Sequence, residues 1–249
     1  MSIILDLRKP KAHFIRPELL LHPQIPARLY GVNPRTLRGS EWWDATRREI
    51  YGINNFCCWA CGRHKSEDYF HQWLEAHEWF SFNTTTCVAT IVEVVALCHT
   101  CHRYIHQGLA YRDYVAGTLS YEDMRRILLH GLKVLSDANL LLTYTSPTLL
   151  YQFLEYKELD TVYSRGMQLK SAREQLAMTI DFLKCDEAWK MLYMGSLHYV
   201  NVAGTIVTRA VSEADLAKMT DLEKGAASST APDTRGYEYL AEAMHDDPH

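Results

Sequence analysis

The chain has 249 residues, 47% hydrophobic and 22% charged, with a formal net charge of −4, the composition of an ordinary soluble globular protein. No apolar run is long enough to span a membrane, and the N-terminus lacks the basic-then-apolar order of a secretory signal. The net acidity argues against a uniformly basic nucleic-acid binder, but the charge is uneven. Residues 1–50 hold nine Lys/Arg against five Asp/Glu, and residues 201–249 hold four against nine. A local basic surface can meet phosphate on an acidic molecule; plain solvated faces explain the same charges equally well.

Taken in chain order, residues 1–54 read as an irregular wrap with a basic face. Pro10, Pro17, Pro23, Pro26 and Pro34 break any long element there. Ser40–Ile53 then has a helix signature, with Ser40 as cap, acids in the first turn and Arg47 and Arg48 later. Trp42 and Trp43 read as core anchors. Trp73–Trp79 and Cys87–Leu97 read as two strands, the second rich in Val, Ile and Thr, with Asn83–Thr86 as the turn. From His99 to about Tyr111 the pattern is helical. Tyr121–Leu135 is an amphipathic helix capped by Ser120, and Leu149–Tyr163 and Ser171–Leu183 are further helix candidates.

A hairpin is expected within Glu187–Val202, turning near Met194–Ser196, and a short capped helix at Ser212–Met219. Lys224–Gly236 is small, polar and proline-containing, the composition of a flexible linker to an acidic tail. The resulting division is 1–54, a core at 55–110, a helical extension with hairpin at 111–222, and a flexible acidic tail at 223–249.

Two pairs, Cys58-Trp-Ala-Cys61 and Cys98-His-Thr-Cys101, are separated by 36 residues. Zinc takes four sulfurs in a tetrahedron, and two such knuckles supply them. Gly62 suits the left-handed position that ends the first knuckle. Cys57 beside Cys58 leaves the register of that pair open. Seven cysteines without a secretory signal point to a reduced, cytoplasmic setting, in which Cys87 and Cys185 read as buried apolar residues. A thiol redox role is disfavoured, because two pairs enclosing a hairpin do not match a redox motif.

His102 and His106 are four apart and share a helix face, a spacing suited to two ligands of a second ion; a cap and an ordinary surface histidine are the bland alternative. Glu75 and His77 share a face of the first strand. A carboxylate and a histidine facing a helical histidine pair make a metal-plus-base site. His130, on an apolar helix, reads as an ordinary core or surface histidine.

C-x-x-C, a strand ending in His, a second strand and L-C-x-x-C-H-x-x-x-H, within about residues 55–108, resemble the HNH endonuclease motif. More loosely, "GVNPRTLRGSEWWDATRREIY", "WLEAHEWF" and "ALCHTCHRYIHQG" resemble an HNH-like group found in bacteria and their phages. The resemblance implies an α+β protein with a ββα-metal core stapled by a four-cysteine zinc site, and a mainly helical C-terminal extension with a small β-hairpin. It implies metal-dependent cleavage of DNA, in the cytoplasm of a bacterial host if phage-encoded.

It assigns His77 as general base and His102 and His106 as ligands of a catalytic divalent cation (Mg2+, Mn2+, Ni2+ or Zn2+). Arg63, Lys65 and Arg103 become phosphate contacts. Two positions depart from the motif. Ala76 stands where a ligand is usual, and Glu93 replaces the asparagine that orients the base. Glu75 or Glu78 could supply the carboxylate, Glu75 having the better strand phase, and Glu93 the orientation. A second hypothesis follows from the same departures: a catalytically silent zinc module that binds nucleic acid or a protein, with the C-terminal extension as a route to a protein partner.

Overall fold

The computed structural model describes residues 10–22, 25–140, 152–155, 157–158, 185 and 188–228. The expected helices Leu149–Tyr163 and Ser171–Leu183 lie wholly or largely outside these. The protein is α+β, with helices and a five-stranded sheet. It packs as two units interleaved along the sequence. The first takes its described residues from 1–24, 44–77 and 95–175, the second from 25–43, 78–94 and 176–249.

The N-terminal prolines leave short turns of 3-10 helix at Pro17–Leu21 and Ala27–Leu29 and one short helix, α1 (Pro34–Arg38). Asn33 caps α1 by accepting from the Thr36 N–H at 2.9 Å. Helix α2 (Ser40–Ile53) forms where expected, with Trp43 buried.

Strands β1 (Leu74–Asn83) and β2 (Val88–Cys98) are neighbours in the sheet. Four residues join them, a connection only antiparallel strands can use. The turn falls one residue later than expected and ends on Cys87 at φ 54°. β2 is buried almost throughout, which explains its unbroken run of Val, Ala, Ile and Leu.

In the first unit, β2 leads straight into α3 (His99–Ile105), followed by α4 (Gln107–Val115) and α5 (Tyr121–Asp137). One continuous helix was expected from His99; instead the chain breaks at His106, φ −90° and ψ 42°. Ser120 caps α5 as expected, accepting from the Asp123 N–H at 3.0 Å. α5 buries Met124, Ile127, Leu128, Leu132 and Leu135, the spacing of one helix face. Gly131 belongs to that face because a Cβ there would lie 2.1 Å from the Tyr104 ring of α3.

In the second unit, β3 (Lys190–Tyr193) pairs parallel to β2, and β4 (Ser196–Val200) and β5 (Ile206–Ala210) extend the sheet. The expected hairpin therefore forms, turning at Met194–Gly195, but it belongs to a larger sheet and gains an unforeseen strand. Leu29, Val32, Phe80, Ala89, Ile91, Trp189, Met191 and Tyr193 pack together there.

Cys87 and Cys185 form a disulfide, where independent buried cysteines were expected; pairing across 98 positions leaves no local trace. α6 (Glu213–Leu216) is capped by Ser212 as expected, and α7 (Asp221–Ser228) runs into the expected linker. Glu223, on α7, is buried and accepts from Asn83, Thr86 and Thr220, which turns the start of the presumed tail into structure. Among the described residues, no helix is long and apolar enough to cross a membrane.

Candidate metal centre

The first unit holds two clusters of metal-ligating side chains. Cys58 and Cys61 sit on the turn after α2, Cys98 ends β2, and Cys101 lies in the first turn of α3. Their four sulfurs lie within 4.8 Å of one another. Cys61 and Cys98 stand 3.8 Å apart at Sγ. Two sulfurs each 2.3 Å from a tetrahedral zinc ion stand roughly 3.8 Å apart, so the cluster has the dimensions of a zinc site.

The first knuckle is closed by backbone. The Cys58 N–H donates to the Arg63 carbonyl at 2.7 Å, and the Gly62 N–H to the Cys58 carbonyl at 2.8 Å. Gly62 has φ 72°, and a Cβ there would meet the Ile15 side chain at 2.6 Å, so both conformation and space require glycine. Cys57 stays outside the four and donates to the Pro10 carbonyl at 3.4 Å, which fixes the register left open by the sequence. Hydrogen bonds from Cys101, Cys58 and Cys98 hold the Cys61 thiol well below its ordinary range, while burial pushes Cys101 well above it. His130 of α5 places Nε2 3.2 Å from the Cys101 sulfur, so this helix meets the cysteine site directly.

The second cluster is His77, from the buried side of β1, with His102 and His106 from α3 and its end. Their ligand nitrogens also lie within 4.8 Å of one another. His106 Nε2 stands 3.3 Å from His77 Nδ1, against roughly 3.4 Å for two imidazole nitrogens on one tetrahedral zinc ion. The other nitrogen of His77, Nε2, is buried with no hydrogen-bond partner. Burial, reinforced by His102 and His106, drives the His77 pKa well below its ordinary value. Burial also lowers His106, to about 3. Both imidazoles are therefore neutral at pH 7, the form that binds a metal. His22, also buried, packs edge-on to His77 at 5.2 Å between ring centres.

Glu75 links this cluster to the rest of the helix. One carboxylate oxygen meets His99 Nδ1, and the other lies 2.8 Å from His102 Nδ1. Burial alone would raise the Glu75 pKa, but hydrogen bonds from His102 and His99 hold it well below the usual carboxylate range. A carboxylate on the outer nitrogen of a ligating histidine fixes the ring and raises its basicity. Asp68 anchors the start of α3, accepting from the Thr100 N–H at 3.1 Å and the Thr100 hydroxyl at 2.8 Å.

The other expected residues are dispersed. Glu93 is buried in the middle of β2, in the second unit and outside both clusters. Arg103, expected to meet phosphate, is instead bound through its guanidinium to Asp113 at 2.5 Å. Arg63 is exposed, and Lys65 lies 4.6 Å over the Phe56 ring. Sequence reasoning missed His22, Asp68, His99 and His130. Only His99, wedged between Cys98 and the histidine pair, carried a local signal.

No family model matches the chain, and neither a curated protein nor a solved structure matches it.

Proposed function

We propose that the protein is a metal-dependent phosphodiesterase of the HNH type acting on DNA. In this reading β1, β2 and α3 form a ββα core, zinc on Cys58, Cys61, Cys98 and Cys101 holds it together, and a second divalent ion works at the histidines. The observation that carries the reading is the histidine cluster: three imidazoles at ligand spacing, two of them on or at the end of the helix whose first turn belongs to the cysteine site. The His102 side chain is 19% exposed, so the cluster opens to solvent, as a catalytic rather than a structural site requires.

The spacing favours His77 as the third ligand rather than as the general base, since the nitrogen that binds an ion cannot also take a proton. A divalent ion held there would act as a Lewis acid on a phosphodiester. The chain's own residues divide the remaining work. Glu75 sits 2.8 Å from His102 Nδ1, which leaves Nε2 for the ion. His77, fixed by burial, completes the set from the strand. Arg63 and Lys65 remain for backbone phosphate.

A plasmid-cleavage assay of the zinc-loaded protein, with Mg2+, Mn2+, Ni2+ or EDTA, tests the activity. Cleavage that requires an ion and is lost in His102→Ala is the expected result. Absence of cleavage with every ion, from a folded zinc-loaded protein, would leave the silent zinc module. His77→Ala separates the two roles of that residue. A ligand loses the second ion; a base keeps it and loses only turnover.

A further inference from the structure

We propose that the loop Tyr69-Phe-His-Gln-Trp73 is a stacking platform for an unpaired nucleotide, so that the substrate is a single-stranded or unpaired stretch of nucleic acid. The choice of ligand class rests on the nuclease reading above. Two large aromatic side chains of this loop face solvent, Tyr69 at 60% and Trp73 at 54% exposure. Each is backed on one side by a nitrogen-rich group. The Arg126 guanidinium lies 4.0 Å over the Tyr69 ring, and the His71 ring stacks on Trp73 at 4.1 Å and 8°. Backing of this kind fixes a ring and leaves its other side to solvent.

The loop is held in place and tied to the ion site. One oxygen of Asp68 accepts from the Phe70 N–H at 2.9 Å and the His71 N–H at 3.4 Å. The other oxygen anchors Thr100 of α3. Phe70 and His71 both pack on His99, at 5.2 and 4.4 Å between ring centres. His99 bonds Glu75, whose other oxygen lies 2.8 Å from His102 Nδ1. A base stacked on Trp73 is thus separated from a metal ligand by a short chain of direct contacts.

Rings held open beside a guanidinium or an imidazole are what unpaired bases use, because every base offers a π-face once it leaves the duplex. In a duplex those faces are already stacked. Exposed aromatics also anchor protein partners, but a partner surface has no reason to be fastened to the helix that carries the ion ligands.

The test is fluorescence anisotropy on the 249-residue, zinc-loaded His102→Ala protein without added divalent ion. The probes are a labelled oligonucleotide and the duplex of the same sequence. Trp73→Ala is expected to weaken single-strand binding about tenfold or more, the loss of one stacked base. Trp73→Phe should retain most of the affinity, and duplex binding should change little. Zinc content and melting temperature should be unchanged, since the side chain is exposed.

Unchanged single-strand affinity in both Trp73→Ala and Tyr69→Ala would overturn the platform, as would a protein that binds neither probe. The two readings fail separately. Strand binding through Trp73 without cleavage by any ion keeps the platform and removes the nuclease. Ion-dependent cleavage untouched by Trp73→Ala keeps the nuclease and removes the platform.

Discussion

The cysteine and histidine clusters share one helix but are built differently. Four sulfurs surround the cysteine site, with a knuckle closed by backbone hydrogen bonds and a glycine pressed against Ile15. Three imidazoles form the histidine site, with a carboxylate behind one of them and a side that reaches solvent. A closed set of soft ligands fits an ion that holds structure; an incomplete set of imidazoles fits one that exchanges ligands. Cys101 and His102 are adjacent in sequence, so successive helix positions divide the two tasks.

The strongest way to break that division is to open the cysteine site. Cys98→Ser should remove zinc and destabilise the first unit by on the order of 5 kcal/mol or more, and it should abolish ion binding at the histidines as well. Thermal melting with metal analysis checks this. A Cys98→Ser protein that still binds the second ion would show the sites to be independent.

The converse experiment is gentler. Glu75→Gln should weaken the second ion about 10- to 100-fold while leaving the zinc content and the melt unchanged, as read by isothermal titration on the zinc-loaded protein. Gly131→Ala addresses the support common to both sites. With a Cβ placed 2.1 Å from the Tyr104 ring, α3 must shift, at a cost of about 1–3 kcal/mol. Denaturant melts should register it before either metal stoichiometry changes.

The smallest effect is the pH response of the histidine site. His77 and His106 have pKa values lowered by folding, so unfolding takes up protons in acid. Their contribution is therefore complete above about pH 6.5, the unfolded value. It is lost as pH falls toward about 3, where His106 titrates. The slope is at most about 1.4 kcal/mol per pH unit for each histidine. Denaturation at pH 7.5 and 5.5 should show the loss, reduced in His106→Gln.

The sequence carried these sites unequally. The two knuckles are local turns, and local spacing is enough to find them. His102 and His106 are one helical turn apart, and their spacing survives the break at His106 because the His106 N–H still bonds the His102 carbonyl at 3.1 Å. The strand phase of Glu75 put it near the histidines, but not its bond to His99. His22, His130 and the Cys87–Cys185 bridge depend on tertiary packing, which periodicity does not encode. β5 carries the β-branched run Thr205-Ile-Val-Thr208, a strand signal that sequence reasoning missed. The aromatic loop was legible as residues and illegible as a surface, because exposure depends on what covers it.

The interleaving of the two units bears on how the chain is made. A ribosome releases Cys58 and Cys61 long before Cys98 and Cys101, and the residues between include part of the other unit. Until the later pair emerges, the nascent protein carries half of a zinc site and only one histidine of the β1–α3 triad. The cysteine set is complete only once Cys101 has emerged and the histidine set only once His106 has, and no contiguous fragment cut for expression contains the whole of one unit alone.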